Sequence, residues 1–198
     1  MTRTIRCLIA GVTVGLVCSA CTAPDTGKAG PSSPPETAEL LKLPTVSVTG
    51  DPFAELDVTP QEPSRRVLGE VDAGRERLIV YTEGKKCGLL ATPSGTHRKP
   101  SLQLLTSWPE KADQGSSRLP FGPYLKTSGY GSGDSPAWAE LSCSKKAVVV
   151  NYSSVDGGKE IRHTGSVSLS RSEDGKSVSV VVGKEGSRKK ILSAAHSS

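Results

Sequence analysis

Residues 167–182 read VSLSRSEDGKSVSVVV, two alternating runs that face each other across a turn. Val167 and Leu169 alternate with Ser166, Ser168 and Ser170, while Val178, Val180 and Val182 alternate with Ser177 and Ser179. A period of two places the apolar side chains on one face of an extended strand and the serines on the other. Between the runs stands Glu173-Asp174-Gly175-Lys176. A two-residue type I′ turn at Asp174-Gly175 sets the register without adjustment. Leu169 then faces Val180, Val167 faces Val182, and Glu173 pairs with Lys176. Turn chemistry and hydrophobic pattern agree on an antiparallel hairpin with one buried face.

Working outward, 147–152 is a Val-rich strand, and Asp156-Gly157-Gly158 supplies the next turn. A strand starting near Glu160 would place Ile161 opposite Tyr152 or a near neighbour. An earlier strand, 138–143, turns through Ser144-Lys145-Lys146. The N-terminal half offers strands at 77–82, 87–91 and 102–106, with a turn at Glu83-Gly84-Lys85. The segment 59–74 reads two ways. Thr59-Pro60-Gln61-Glu62 has the form of a helix capping box with proline at the first helical position. Pro63 and Gly69 weaken a helix, and 67–72 reads better as a strand pairing with 77–82. About seven or eight short strands imply a mainly β chain, an antiparallel meander forming a small sandwich or open barrel with little helix. With two Trp, four Tyr and two Phe in 198 residues, Val and Leu must carry the packing.

The first twenty residues differ from the rest. Arg3 and Arg6 precede an apolar run over 7–17, and no acidic residue comes before Asp25. As a helix that run rises about 16 Å, roughly half of a bilayer's hydrocarbon core. It suits a secretory signal, not a stable span. The run ends at Val17-Cys18-Ser19-Ala20-Cys21, which resembles the lipobox of bacterial prolipoproteins. Ser19 and Ala20 match the small residues of that motif, while Cys18 stands where an aliphatic residue is usual. The resemblance implies cleavage before Cys21 and acylation of Cys21, the thiol then tying the chain to the extracytoplasmic face of the cell membrane. An ordinary secretory signal, cut without acylation, is the alternative. Two acyl chains on one residue anchor persistently where one chain binds marginally. The implied organisation is a signal peptide over 1–20, a lipidated cysteine and tether over 21–43, and one β-rich domain over 44–198. The tether reads TAPDTGKAGPSSPPETAELLKL from residue 22. Such a segment has too little apolar surface to offset its ordering entropy, and a coil of its length reaches on the order of 25 Å. Leu40, Leu41 and Leu43 either begin the fold or form a short helix with Glu36 and Glu39. Low Asn and Phe usage fits a high-GC Gram-positive source.

Outside the leader and its cut site only Cys87 and Cys143 remain of five cysteines. In an oxidising compartment an even pair is most simply a disulfide. Charge excludes one class of partner. Of 25 Lys and Arg, two lie in the leader, and the rest exceed the 20 Asp and Glu by three, too little to hold nucleic acid. A mild basic bias after Cys143 could aid association with anionic lipids or wall polymers, or be a solvated face.

Two motifs invite a catalytic reading. Gly133-Asp134-Ser135 resembles the nucleophile motif of trypsin-like proteases, and Leu192-Ser193-Ala194-Ala195-His196 resembles the stretch around their general base. Pro136 and Ala137 replace the glycines that shape an oxyanion hole, the order of serine and histidine is reversed, and His196 stands two residues from the terminus, where a base is hard to hold in place. Gly133-Asp134-Ser135 also resembles the start of GDSL-type esterases, but position 193 is Ser and no βα alternation follows. His97, His163 and His196 lack metal-ligand spacing. His163, on the face of Ile161, is expected to be partly buried. No catalytic residue, metal or cofactor is assigned.

The loop 112–136 carries Phe121, Tyr124 and Tyr130 and leads to Trp138. Aromatic side chains in a long loop can form a contact surface, so these four are the candidate binding residues. In the other reading Phe121 and Tyr124 fold back to plug the open end of the sandwich. The favoured function is a tethered, non-catalytic interaction domain for an envelope protein or wall polymer. The competing classes are an envelope hydrolase and a structural component of the wall or a secretion complex.

Overall fold

The 167–182 hairpin is the outer pair of a five-stranded sheet. The computed structural model describes residues 38–54, 56, 65–73, 76–94, 99–116, 118–131, 137–154 and 161–195. Among these, ten strands form two antiparallel sheets. The first contains β1 (Arg65–Ala73), β2 (Glu76–Glu83), β3 (Lys86–Pro93), β4 (Leu102–Ser107) and β8 (Ile161–Gly165), in the order β4-β3-β2-β1-β8. The second contains β5 (Leu125–Tyr130), β6 (Ala137–Cys143), β7 (Ala147–Ser154), β9 (Val167–Arg171) and β10 (Ser177–Gly183), in the order β5-β6-β7-β10-β9. One helix, α1 (Glu185–Ala195), follows. The sheets do not close into a barrel. They bury Leu68, Val71, Leu78, Val80 and Leu89 of the first against Leu141, Val148, Val150, Val180 and Val182 of the second, as in a sandwich.

Val180 faces Leu169 and Val182 faces Val167, as the alternation required. The turn is of another type. A type I′ turn needs positive φ at both central residues. Here the Gly175 N–H donates to Ser172 O (2.9 Å), and only Gly175, at φ 71°, is left-handed. The Asp174 carboxylate accepts from the Ser172 hydroxyl (2.6 Å) and the Lys176 N–H (3.0 Å). These local bonds give the aspartate a right-handed place, and the loop keeps the register because it closes on Ser172 and Ser177.

The expected pairing of Ile161 with Tyr152 does not form. Ile161 pairs with Ala73 of β1, while Tyr152 pairs with Val178 and Ala139. A strand inside a sheet needs apolar side chains on both faces when both are covered. β10 supplies Val178, Val180, Val181 and Val182, whereas β8 reads IRHTG and fits only an edge. For the same reason His163 is exposed, not partly buried. In 59–74 the strand reading holds for the second half, where Val67 pairs with Tyr81 and Asp72 with Arg77. The capping box at 59–62 lies outside the described residues.

β8 and β9 are one run of chain that changes sheets at a single residue. The Ser166 N–H donates to Leu68 O of the first sheet (3.2 Å), and Ser166 O accepts from Gly183 N of the second (3.2 Å). Gly165 makes the bend at φ 88°. Elsewhere a disulfide joins the sheets: Cys87 of β3 and Cys143 of β6, 56 residues apart, lie 5.8 Å between Cα atoms with both side chains fully buried. Closing a loop of that length constrains the unfolded chain by roughly 4 kcal/mol.

Both sheets also have covered outer faces. Val46, Val48, Phe53 and Leu56 pack on Val67, Ile79, Tyr81 and Leu90 of the first. Ile191 of α1 packs with Ala147, Val149 and Val181 of the second. The packed region starts before Pro44. Glu39–Lys42 is a short 3-10 turn, and Leu40 and Leu43 are buried in the core. The Leu40 N–H donates to Lys145 O (3.2 Å), and the Arg66 guanidinium donates to Leu43 O (2.9 Å).

A methyl group at Gly165 would stand 2.5 Å from Leu68 O and 2.4 Å from the Val46 side chain, in a backbone conformation that L residues avoid. Gly165→Ala is expected to cost ~3 kcal/mol, read as a lowered denaturant midpoint at unchanged slope.

Candidate functional site

The four aromatic candidates separate into two pairs with different surroundings. Phe121 and Tyr124 belong to the cluster beneath α1, together with Leu119, Ala147, Val149, Val181 and Ile191. Tyr124 is 1% exposed, and its hydroxyl donates to Pro120 O (2.6 Å). Burial pushes its phenol up to about 12, with the Ser144 hydroxyl acting in the opposite direction. The Lys190 ammonium lies 6.0 Å from the centre of the half-buried Phe121 ring. This pair therefore folds back, as the packing alternative held, but onto the outer face of the second sheet and not into the open end of the sandwich. Tyr124 is structural.

Tyr130 and Trp138 are direct cross-strand partners on β5 and β6. Tyr130 is 80% exposed and Trp138 half-buried, on the half of the outer face that α1 leaves open. Along the same face runs a polar row. Ser128 stands opposite Glu140, Glu140 opposite Asn151, and Asn151 opposite Ser179. The Lys126 ammonium meets the Glu140 carboxylate at 3.1 Å, and the Ser179 hydroxyl donates to the Asn151 side-chain oxygen at 2.8 Å. The arrangement offers two aromatic surfaces beside amide, hydroxyl and carboxylate groups, a combination suited to contact with a partially polar partner.

Ser135, His97 and His196 lie outside the described residues, as does Cys21. Ser193 and its neighbours belong to α1. His163 lines an open groove of about 330 Å³ with Glu70, Asp72, Arg77, Arg162 and Thr164. Glu70 and Arg77 pair there at 3.4 Å, so the groove carries both signs of charge. Among the described residues no three His, Cys, Asp or Glu side chains are placed to hold a metal ion.

Two polar features away from the aromatic face also escaped the sequence reading. Glu76 is buried enough to push its carboxyl above the usual range, against the Ser101 hydroxyl that donates to it at 2.9 Å, and its second oxygen has no protein partner. More extensive is the end of the sandwich above the disulfide. Because Lys86 precedes Cys87 and Ser144 follows Cys143, the bond sets the Gly84-Lys85 turn beside the Ser144-Lys145-Lys146 turn. Two open grooves lie there. One of about 410 Å³ is lined by Lys85, Lys86, Trp108, Glu110 and Leu125 among others. The second, of about 310 Å³, includes Lys111, Phe121, Pro123, Lys145 and Lys146. Lysines far apart in the chain gave no local signal.

The raised phenol of Tyr124 has a defined consequence. Between pH 10 and about 12 the folded chain holds a proton at Tyr124 that the unfolded chain has begun to lose. This contribution to stability is therefore complete below pH 10 and is lost as pH rises through about 12. Tyr124→Phe is expected to remove that alkaline slope from denaturant midpoints, and to cost ~1 kcal/mol at neutral pH through the lost hydrogen bond. No protein-family model, curated protein or solved structure matches this chain.

Proposed function

We propose that the chain is an exported bacterial lipoprotein, held through Cys21 on the extracytoplasmic face of the cell membrane, whose sandwich serves as a non-catalytic binding domain. The observation that carries the export half of this reading is the buried Cys87–Cys143 bond. Cytosolic thiols are kept reduced, and a bond sealed between two sheets is a permanent structural link that belongs to an oxidising compartment. It agrees with the Arg3 and Arg6 start, the short apolar run and the lipobox-like end of the leader. The binding half is supported by the open face bearing Tyr130 and Trp138, where an exposed aromatic pair adjoins the Ser128–Glu140–Asn151 row. The partner chemistry is that of an envelope protein or wall polymer.

Native chain extracted from membranes is expected to begin at residue 21 with acyl chains on the cysteine, by mass spectrometry, and Cys21→Ala should be recovered outside the membrane fraction. An intact, unmodified leader on the native chain would overturn the anchor. For the binding half, capture of purified wall material or solubilised envelope proteins by the immobilised chain should fall at least tenfold in Tyr130→Ala or Trp138→Ala if this pair is the centre of the contact. Hydrolysis of envelope substrates that disappears in Ser135→Ala would replace the binding reading with an enzymatic one.

A further inference from the structure

We infer that the lysine-bearing end of the sandwich seats on the anionic headgroups of the bilayer to which the chain is tethered, so that the domain stands with its opposite end outward. The inference rests on the anchor at Cys21 proposed above and adds the orientation of the domain.

Three observations converge on that end. The first is where the chain enters. The described residues begin at Ala38, and the next few are fastened at the β6–β7 turn: Leu40 N–H donates to Lys145 O at 3.2 Å, and Glu39 pairs with Lys184 at 3.3 Å. Only sixteen residues lie between Cys21 and Ala38 in the chain, so this is the end of the fold that an acyl anchor would hold closest to lipid.

Charge is the second. Lys42, Lys85, Lys86, Lys145, Lys146 and Lys184 lie at this end. Lys42, Lys85 and Lys86 come from the entering segment and the β2–β3 turn, and the others come from the β6–β7 turn and the end of β10. Four acidic side chains there are already committed: Glu39 to Lys184, Glu110 to Lys85 (3.1 Å), Glu83 to Arg65 (2.8 Å) and Glu185 to Lys189 (2.7 Å). Lys42, Lys86, Lys145 and Lys146 have no carboxylate partner among the described residues. At the opposite end the β9–β10 turn carries Glu173 and Asp174 with Lys176 and with Arg171, whose guanidinium donates to Gly175 O (2.9 Å), so the charges there offset each other.

The third is shape. Lys85, Lys86, Lys145 and Lys146 line two open grooves of about 410 and 310 Å³ beside Trp108, Leu125, Phe121 and Pro123, and the Glu83 and Glu110 carboxylates that also line them pair with Arg65 and Lys85. Ammonium groups beside apolar side chains are the chemistry that suits a phosphate headgroup and its glycerol edge. Several ammonium groups held within about 10 Å of a charged surface act together before salt screens them. The disulfide gives the cluster its geometry, since it is Cys87–Cys143 that holds the two lysine turns side by side.

The test uses the mature chain from residue 21 with Cys21→Ala, so that no acyl group contributes, and vesicles of phosphatidylglycerol mixed with phosphatidylcholine against phosphatidylcholine alone. At low ionic strength the chain should sediment with the anionic vesicles and not with the neutral ones. Partition should fall about fivefold per lysine removed, hence roughly 25-fold in Lys145→Ala/Lys146→Ala, and collapse as salt is raised. Lys176→Ala, at the other end, should leave it unchanged. Circular dichroism and thiol counting check that each variant keeps the fold and the bridge. Equal partition to neutral vesicles overturns the inference, as does an equal loss in Lys176→Ala. Capture by a soluble glycerol-phosphate wall polymer with no vesicle binding also overturns it, and assigns the end to the wall instead. Acylation is read separately by mass: failed docking with an acylated Cys21 sinks the orientation alone, whereas an unmodified Cys21 sinks the anchor.

Discussion

Everything in this fold depends on keeping two sheets in contact through aliphatic side chains, with very few aromatic rings to fill the space between them. The inter-sheet core is almost entirely Val, Leu and Ala, with Tyr152 and Trp108 as its large members. Small side chains pack closely, but each contributes only about 1.5–3 kcal/mol on burial. A net stability of 5–15 kcal/mol is ordinary for a domain, so a bond contributing roughly 4 kcal/mol is a large share. Among the described residues the Cys87–Cys143 bridge, the Gly165–Ser166 corner and the hydrogen bonds of the Leu40–Leu43 segment to Lys145 and Arg66 join the sheets by something other than packing.

The same joints distribute chemistry over the surface. Tight turns at the bridged end come from sequences rich in lysine, and the bridge holds them together. α1 and the 119–124 loop cover only part of the second sheet's outer face, and the remainder presents Tyr130, Trp138 and a polar row to solvent. An aromatic and polar face and a lysine-bearing end are thereby separated on one domain.

Side-chain alternation made the strands and the β9–β10 register legible, since a one-residue slip would have turned Val178, Val180 and Val182 to solvent. Cysteine arithmetic likewise revealed the bridge. Turn type was less legible, because Asp174 has two local hydrogen bonds that a backbone pattern does not announce. The position of β8 could not be read locally either. Ile161 looks like any strand opening, and only competition with the more apolar β10 for the place beside β7 sends it to the other sheet. α1 was missed because its buried face is short, just Ser187 and Ile191 at a spacing of four. The stretch 112–136, expected as one loop, holds β5 over Leu125–Tyr130, whose small and polar residues give no apolar alternation; Tyr124 and Tyr130 are alike as sequence and opposite in surroundings, one sealed beneath a helix and the other exposed at the end of that strand.

By itself the amino-acid order determined most of the segments that extend, which of their faces are apolar, and that Cys87 and Cys143 pair. These are local or combinatorial properties, set by periods of two and by counting. Tertiary structure decided which strand holds the centre of each sheet, which aromatic rings are covered, and where the lysines gather. Those outcomes depend on competition among distant segments for the same buried space, and such competition has no signature within any short stretch of chain.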